Sequence, residues 1–221
     1  MRRYLPFVIV GGIALATLAS GTMLYRANRI PPLAITKNHT APGKDEAVHV
    51  LGPPDAPVTL EEFGDFQCPP CGALAGPINQ LEHDYQPGLR VIFRHLPLAA
   101  HQHAREAAHA AEAAGMQDRF WEMHHLLYRE QSVWSKAPDV RALFNAYAGI
   151  LGLNIERFDK DMESDKVKAH VDLDQKEATA IGVQNTPTIF INNKALAPTA
   201  LNPTDLRAAV DAAVKKVGPP S

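Results

Sequence analysis

An α/β fold interrupted by a long run of helices is the architecture this sequence predicts, and three observations predict it. Two short alternating stretches, "APVTLEEF" ending at Phe63 and "LRVIFRH" from Leu89 to His95, flank a helix-period segment that opens on a Cys-x-x-Cys. Residues 99 to 181 carry helical periodicity almost throughout. Strand-like sequence then returns at "TIFI", residues 188 to 191, ahead of a closing amphipathic segment.

Each element has a local reason. In the first strand Val58, Leu60 and Glu62 share one face, with Thr59, Glu61 and Phe63 on the other. Between the strands, Leu74, Ile78 and Leu81 recur at spacings that place a helix over residues 69 to 85, so the unit is βαβ with parallel strands and a right-handed crossover. The alanine-rich run from Ala99 stops at Gly115, read as a C-cap. Phe120, Met123, His124, Leu127 and Tyr128 mark one face of the next helix, and Val140, Leu143, Phe144, Tyr147 and Leu151 mark another. Asn154 is placed to cap a further helix, and a last helical stretch ends near Gly182. Asn192 and Asn193 suit a two-residue hairpin turn. The closing helix runs from about Pro203 to Val217, with Asn202 as N-cap and Pro203 in the first helical position.

The N-terminus is of a different kind. Residues 4 to 25 carry no charged side chain, follow Arg2 and Arg3, and are long enough for a helix to cross a bilayer. They read as a signal anchor, giving a single-pass protein of the inner membrane with its catalytic part in the periplasm or extracytoplasmic space. The alternative is a signal peptide cut near the small residues of "ALAT", which releases a soluble periplasmic protein. Both readings export the rest of the chain to an oxidising compartment. Residues 1–26 are thus the anchor or signal peptide, and the proline-broken stretch 27–50 is a tether. With 22 Lys+Arg against 24 Asp+Glu there is no basic excess to recruit a phosphate backbone, so nucleic acid is not an expected partner.

The chain's two cysteines, Cys68 and Cys71, sit where the first strand turns into the first helix. That register makes Cys68 the N-cap, Pro69 N1, Pro70 N2 and Cys71 N3. The positive end of the helix dipole then favours a Cys68 thiolate beside a second thiol, which is a disulfide-exchange centre. Because Pro70 lacks the N2 amide donor, the acidity of Cys68 should be nearer the value of about 7 in thioredoxin than the 3.5 of the strongest oxidant. Three other readings compete: a purely structural disulfide, which closes a very small loop; two inert buried thiols; and a zinc or copper site. Ten histidines, among them His101/His103 and His124/His125, keep the metal reading open, but no second CxxC or HxxxH accompanies the first. The histidines read as solvated helix residues.

Three segments, "APVTLEEFGDFQCPPC", "GMQDRFWEMHHLLY" and "GVQNTPTIFIN", resemble, in that order, the DsbA-like thioredoxin-fold thiol:disulfide oxidoreductases of bacterial envelopes. The resemblance implies a thioredoxin-like core formed by residues 51–98 and 182–221, with residues 99–181 as an inserted all-helical domain. It also implies Cys68 as the attacking and Cys71 as the resolving cysteine of a redox-active disulfide, a cis peptide at Pro187 with Thr186 before it, and Glu62 as a buried acid. Read from the residues alone, Pro187 is an ordinary trans turn proline and Glu62 a solvated strand residue; only a strand covered on both faces would raise the Glu62 pKa. Pro69-Pro70 replaces the Pro-His of the strongest oxidants, which leaves the direction of the reaction, oxidase or reductase and isomerase, open.

The expected activity is thiol:disulfide exchange on cysteines of exported proteins, with a redox partner that resets the CxxC. It requires no organic cofactor and no metal. The alternative is a module carrying copper or zinc on the CxxC thiolates. Residues 26 to 50 are too short and proline-broken for an added dimerisation domain, so a monomer is expected.

Overall fold

The computed structural model describes residues 40–41 and 49–217. The anchor or signal segment (4 to 25) and most of the tether lie outside the described residues. No helix among the described residues is long and apolar enough to cross a membrane.

Strands β1 (His49–Leu51), β2 (Val58–Gly64), β3 (Leu89–His95), β4 (Thr188–Ile191) and β5 (Lys194–Ala195) form one sheet in the order β1-β3-β2-β4-β5. β2 and β3 run parallel, from Val58 opposite Leu89 to Gly64 opposite His95, and helix α1 (Pro69–Asp84) makes the crossover between them. β4 joins the other side of β2 antiparallel, and β5 returns along β4. Asn192 and Asn193 both adopt positive φ, the conformation a tight two-residue turn demands and asparagine tolerates.

The helical stretch resolves into α2 (Ala104–Gly115), α3 (Phe120–Arg129), α4 (Gln131–Trp134), α5 (Arg141–Ile150), α6 (Ile155–Met162) and α7 (Asp165–Ile181), and α8 (Pro203–Val217) closes the fold. Local chemistry ends them as read: the Asn154 side chain accepts from the Arg157 amide, Gly182 caps α7 at positive φ, and Asn202 Oδ1 accepts from the Asp205 amide. α2 is buried nearly all round, because its alanines let neighbouring helices approach closely.

Three features differ from the sequence reading. β1 falls at the end of the stretch read as tether and pairs antiparallel with β3; three residues carry no periodicity to announce a strand. Gly115 is the last residue of α2 and Met116, in right-handed helical conformation, follows as the cap. Glycine is there for space: a Cβ at Gly115 would meet His49 Cε1 at 3.3 Å. The histidines are not generally solvated, since His95, His103, His109 and His124 are all buried. His124 lies on the apolar face that the periodicity marked, and packing decided its burial.

Every residue of β2 is buried. One face packs Val58 and Leu60 against Leu74, Ile78 and Leu81 of α1 and Leu206 and Val210 of α8; the other sets Phe63 against Phe190 and Ala178. On that second face the buried Arg94 guanidinium pairs with Glu61 of β2 at 3.2 Å and with Asp174 of α7 at 3.0 Å, tying the sheet to the last helix of the insertion. Arg94→Met would leave those buried carboxylates without their guanidinium. It should destabilise the protein by about 3–5 kcal/mol in chemical denaturation, the usual consequence of removing one partner of a buried ion pair.

Candidate active site

The chain leaves β2 at Gly64 and turns through Asp65, Phe66 and Gln67 before α1 begins. Asp65 builds that turn. Its carboxylate accepts the Gln67 amide at 2.7 Å, the Leu98 amide at 2.9 Å and a 2.7 Å contact from His101 Nδ1, while its carbonyl accepts the Cys68 amide. From the insertion, Gln131 Nε2 donates to the carbonyls of Phe66 and Cys68, and the Gln67 side chain accepts the His103 amide. The cysteine loop is therefore held from both sides by polar contacts.

Cys68 is the N-cap residue in extended conformation (φ −75°, ψ 117°), and the two prolines occupy the first helical positions. As a thiol its side chain makes no capping hydrogen bond. It donates instead to the Thr186 carbonyl at 3.4 Å. The Thr186–Pro187 peptide is cis. Both cysteines are free thiols; Cys68 is 5% exposed and Cys71 fully buried. Glu62 lies inside β2 beneath them, 2% exposed, with Oε1 lacking any hydrogen-bond partner.

This arrangement separates the three acidities. A hydrogen bond from the Cys71 thiol, helped by the Thr186 side chain and the Cys71 amide once charge develops, lowers the Cys68 pKa to about 6 against the opposing effect of burial. That lies nearer 7 than 3.5. Burial, then the adjacent Cys68 thiolate, pushes Cys71 far above the ordinary thiol range. Burial pushes Glu62 up to about 8, with a smaller contribution from the Cys68 charge. Under one roof are thus a nearly buried acidic thiol, a fully buried thiol that resists ionisation, and a carboxylic acid protonated at neutral pH.

The structure brings Cys68, Cys71, Thr186, Pro187 and Glu62 together at the end of β2. Sequence reasoning missed Asp65 and Gln131, whose polar side chains had no motif to flag them, and His124. The His124 ring, 4% exposed, has neither nitrogen partnered and is held neutral by burial; it lines the same small cavity, of about 10 Å³, as Glu62. Among the described residues, the group of His, Cys, Asp and Glu side chains close enough to hold an ion includes neither cysteine.

A reduced CxxC at a helix start, facing a cis-proline and backed by a buried acid, makes one dithiol centre. The chain belongs to the thioredoxin family, whose model (Thioredoxin_4) matches residues 44–212. Within that family its fold is DsbA-like. It superposes on oxidised BdbD from Bacillus subtilis with a TM-score of 0.67 and 24% identity, over 75% of this chain and 92% of that one. A thioredoxin-like oxidoreductase from Silicibacter pomeroyi matches at TM-score 0.63 and 26% identity, over 78% and 96% of the two chains. Among curated sequences, a protein named Na(+)/H(+) antiporter NhaA 1 from Mycolicibacterium gilvum is 40% identical over 167 residues, covering 74% of this chain. The match spans only 26% of that relative's length, so its named activity belongs to a much larger protein.

Glu62 makes the stability of the protein pH-dependent in a predictable sense. Its folded pKa of about 8 exceeds the ordinary 4.5, so the folded state holds a proton that the unfolded state loses. Its contribution is therefore full below about 4.5 and is lost as pH rises toward 8. Between pH 4.5 and 6, before Cys68 ionises, the difference in stability between wild type and Glu62→Gln should change by up to about 1.4 kcal/mol per pH unit, with wild type losing ground as pH rises. Urea denaturation of both reduced proteins across that range measures it.

Proposed function

We propose that this protein exchanges disulfides with cysteine-containing exported proteins, with Cys68 as the attacking and Cys71 as the resolving residue. The observation that carries the reading is the placement of the two thiols, Cys68 at the start of α1 against the Thr186 carbonyl at 3.4 Å and Cys71 fully buried one turn behind it; burial and the hydrogen bonds around them lower the pKa of Cys68 and raise that of Cys71. In the oxidising direction a substrate thiolate attacks Cys68 Sγ of the disulfide. The Cys68–Cys71 bond breaks, a mixed disulfide forms, and Cys71 leaves with the electron pair. A buried thiolate there is costly, and Glu62, protonated at neutral pH, supplies the proton that neutralises it. A second substrate thiolate then attacks the substrate sulfur, giving the substrate disulfide and releasing Cys68 as its stable thiolate. Run backwards, the same steps reduce a substrate.

The backbone of Thr186, turned toward Cys68 by the cis peptide, offers an edge with which an extended substrate segment pairs. A thiolate more stable than an ordinary one but less than that of the strongest oxidant makes the pair less oxidising than that oxidant. It sets a potential between about −270 mV, the thioredoxin value, and −120 mV, the DsbA value. A separate redox partner resets the pair after each turnover, and the protein works as a monomer. Equilibration with glutathione mixtures should give a reversible two-electron couple in that interval, which a carrier of copper or zinc on the CxxC need not show. Cys68→Ser should abolish the oxidation of a reduced unfolded substrate, and Cys71→Ser should accumulate mixed disulfides on non-reducing gels; full exchange activity in Cys68→Ser would sink the proposal.

We place the dithiol domain outside the cytoplasmic membrane, tethered by residues 4 to 25, on the strength of that uncharged segment and its flanking arginines. Alkaline carbonate washing should then leave the protein with the membrane, and protease should reach the CxxC domain from the outer side only. Recovery as a soluble species beginning near Thr17 would show a cleaved signal peptide in place of the anchor.

A further inference from the structure

Four side chains far apart in sequence meet at a second centre, between the sheet and the helical insertion. Glu112 of α2 is the hub. Its Oε1 lies 2.6 Å from His49 Nε2 of β1 and 2.7 Å from His95 Nε2 of β3, and its Oε2 lies 2.6 Å from His170 Nδ1 of α7. Ligand atoms of His49, His95 and Glu112 all fall within 4.8 Å of one another. The geometry points to a binding site for one divalent transition-metal ion of the zinc class, held by His49, His95 and Glu112; His170, which meets Glu112 through its other oxygen and lies outside that set, joins as a fourth donor only when its side chain rotates. This site is independent of the dithiol and adds a metal where the sequence reading expected none.

The donor set selects the ion class. Imidazole nitrogens with a single carboxylate suit zinc, copper or nickel, whereas calcium and magnesium require mostly oxygen. Zinc bonds of about 2.0–2.1 Å to nitrogen and oxygen need donor atoms about 3.3 Å apart in a tetrahedron, so the present 2.6–2.7 Å contacts must open by a fraction of an ångström. Side-chain rotation supplies that. Without the ion, the same contacts are imidazole N–H groups donating to a carboxylate, and they serve as a structural clamp. Two further observations favour a metal over a clamp alone.

The His49 ring is stacked on Phe120, with centroids 3.4 Å apart and planes within 2°, which fixes its plane as outer-shell contacts fix metal-bound imidazoles. The centre is also reachable: His49, Glu112 and His170 line a cavity of about 390 Å³ with Gly115, the position where a side chain would crowd the His49 ring. Lys166 lines the same cavity and supplies no ligand. An ion here would join β1 and β3 to α2 and α7, clamping the edge strand and the insertion to the core.

The test uses the full chain with Cys68→Ser and Cys71→Ser, which removes competing thiolates. Calorimetric titration should show one zinc equivalent, and cobalt should give the intense visible bands of a tetrahedral site. Zinc should shift the imidazole nitrogen resonances of His49, His95 and His170 and leave those of His101, His103 and His125 in place, a readout that needs no further variant. His49→Ala, at a partly exposed ligand on an edge strand, should weaken zinc binding by about 10–100-fold or more. Absence of zinc binding, binding that shifts other histidines, or unchanged affinity in His49→Ala would each overturn the site.

Discussion

The covering of β2 on both faces is the constraint on which the dithiol depends. A strand buried from Val58 to Gly64 cannot hydrate Glu62, so that carboxyl keeps its proton at neutral pH. The same strand ends under α1, so it delivers the chain to Asp65 and the cysteine loop at a fixed height above the sheet. Had one face been open to water, as in many antiparallel sheets, Glu62 would be an ordinary solvated acid and Cys71 would have no buried proton donor beneath it.

The two cysteines are three residues apart and yet live in different solvents. Cys68, at the helix cap, has a thiol, a hydroxyl and an amide near enough to favour its charged form. Cys71, one turn in, is enclosed by Phe66, Phe93 and the insertion's core. Their difference in acidity arises from that asymmetry, since each hydrogen bond to a charged sulfur favours the thiolate while enclosure opposes it. The prolines between them set the helix start and withhold one amide, which moderates the acidity of Cys68.

The insertion contributes to both centres. Gln131 holds the cysteine loop from one side, and α2 and α7 bring Glu112 and His170 to the histidines of β1 and β3. Arg94 and His95 are neighbours on β3: one secures α7 through Asp174, the other reaches Glu112 on α2. The sheet and the insertion are thus joined by polar contacts as well as by the aromatic cluster of Phe66, Phe93, His124 and Tyr128.

Much of the fold could be read in the sequence because the signals are local. Alternation placed β2 and β3, the 3.6-residue period placed the helices, Asn192-Asn193 placed the hairpin, and the caps at Asn154, Gly182 and Asn202 act within one helical turn of their own residues. The position of Cys68 and Cys71 at the start of α1 follows from the same short-range chemistry. Strand β1, at three residues, is too short to show a period. Asp65 and Gln131 act on loop atoms that no spacing rule connects to them, and His49, His95, Glu112 and His170 share no motif. What the sequence determined by itself were the elements, their ends and the place of the dithiol, since these depend on neighbours a few residues away. Only the tertiary structure decided the protonation of Glu62, the burial of His124 and the meeting of three imidazoles on one carboxylate, because desolvation and contact depend on whatever the rest of the chain packs against each group.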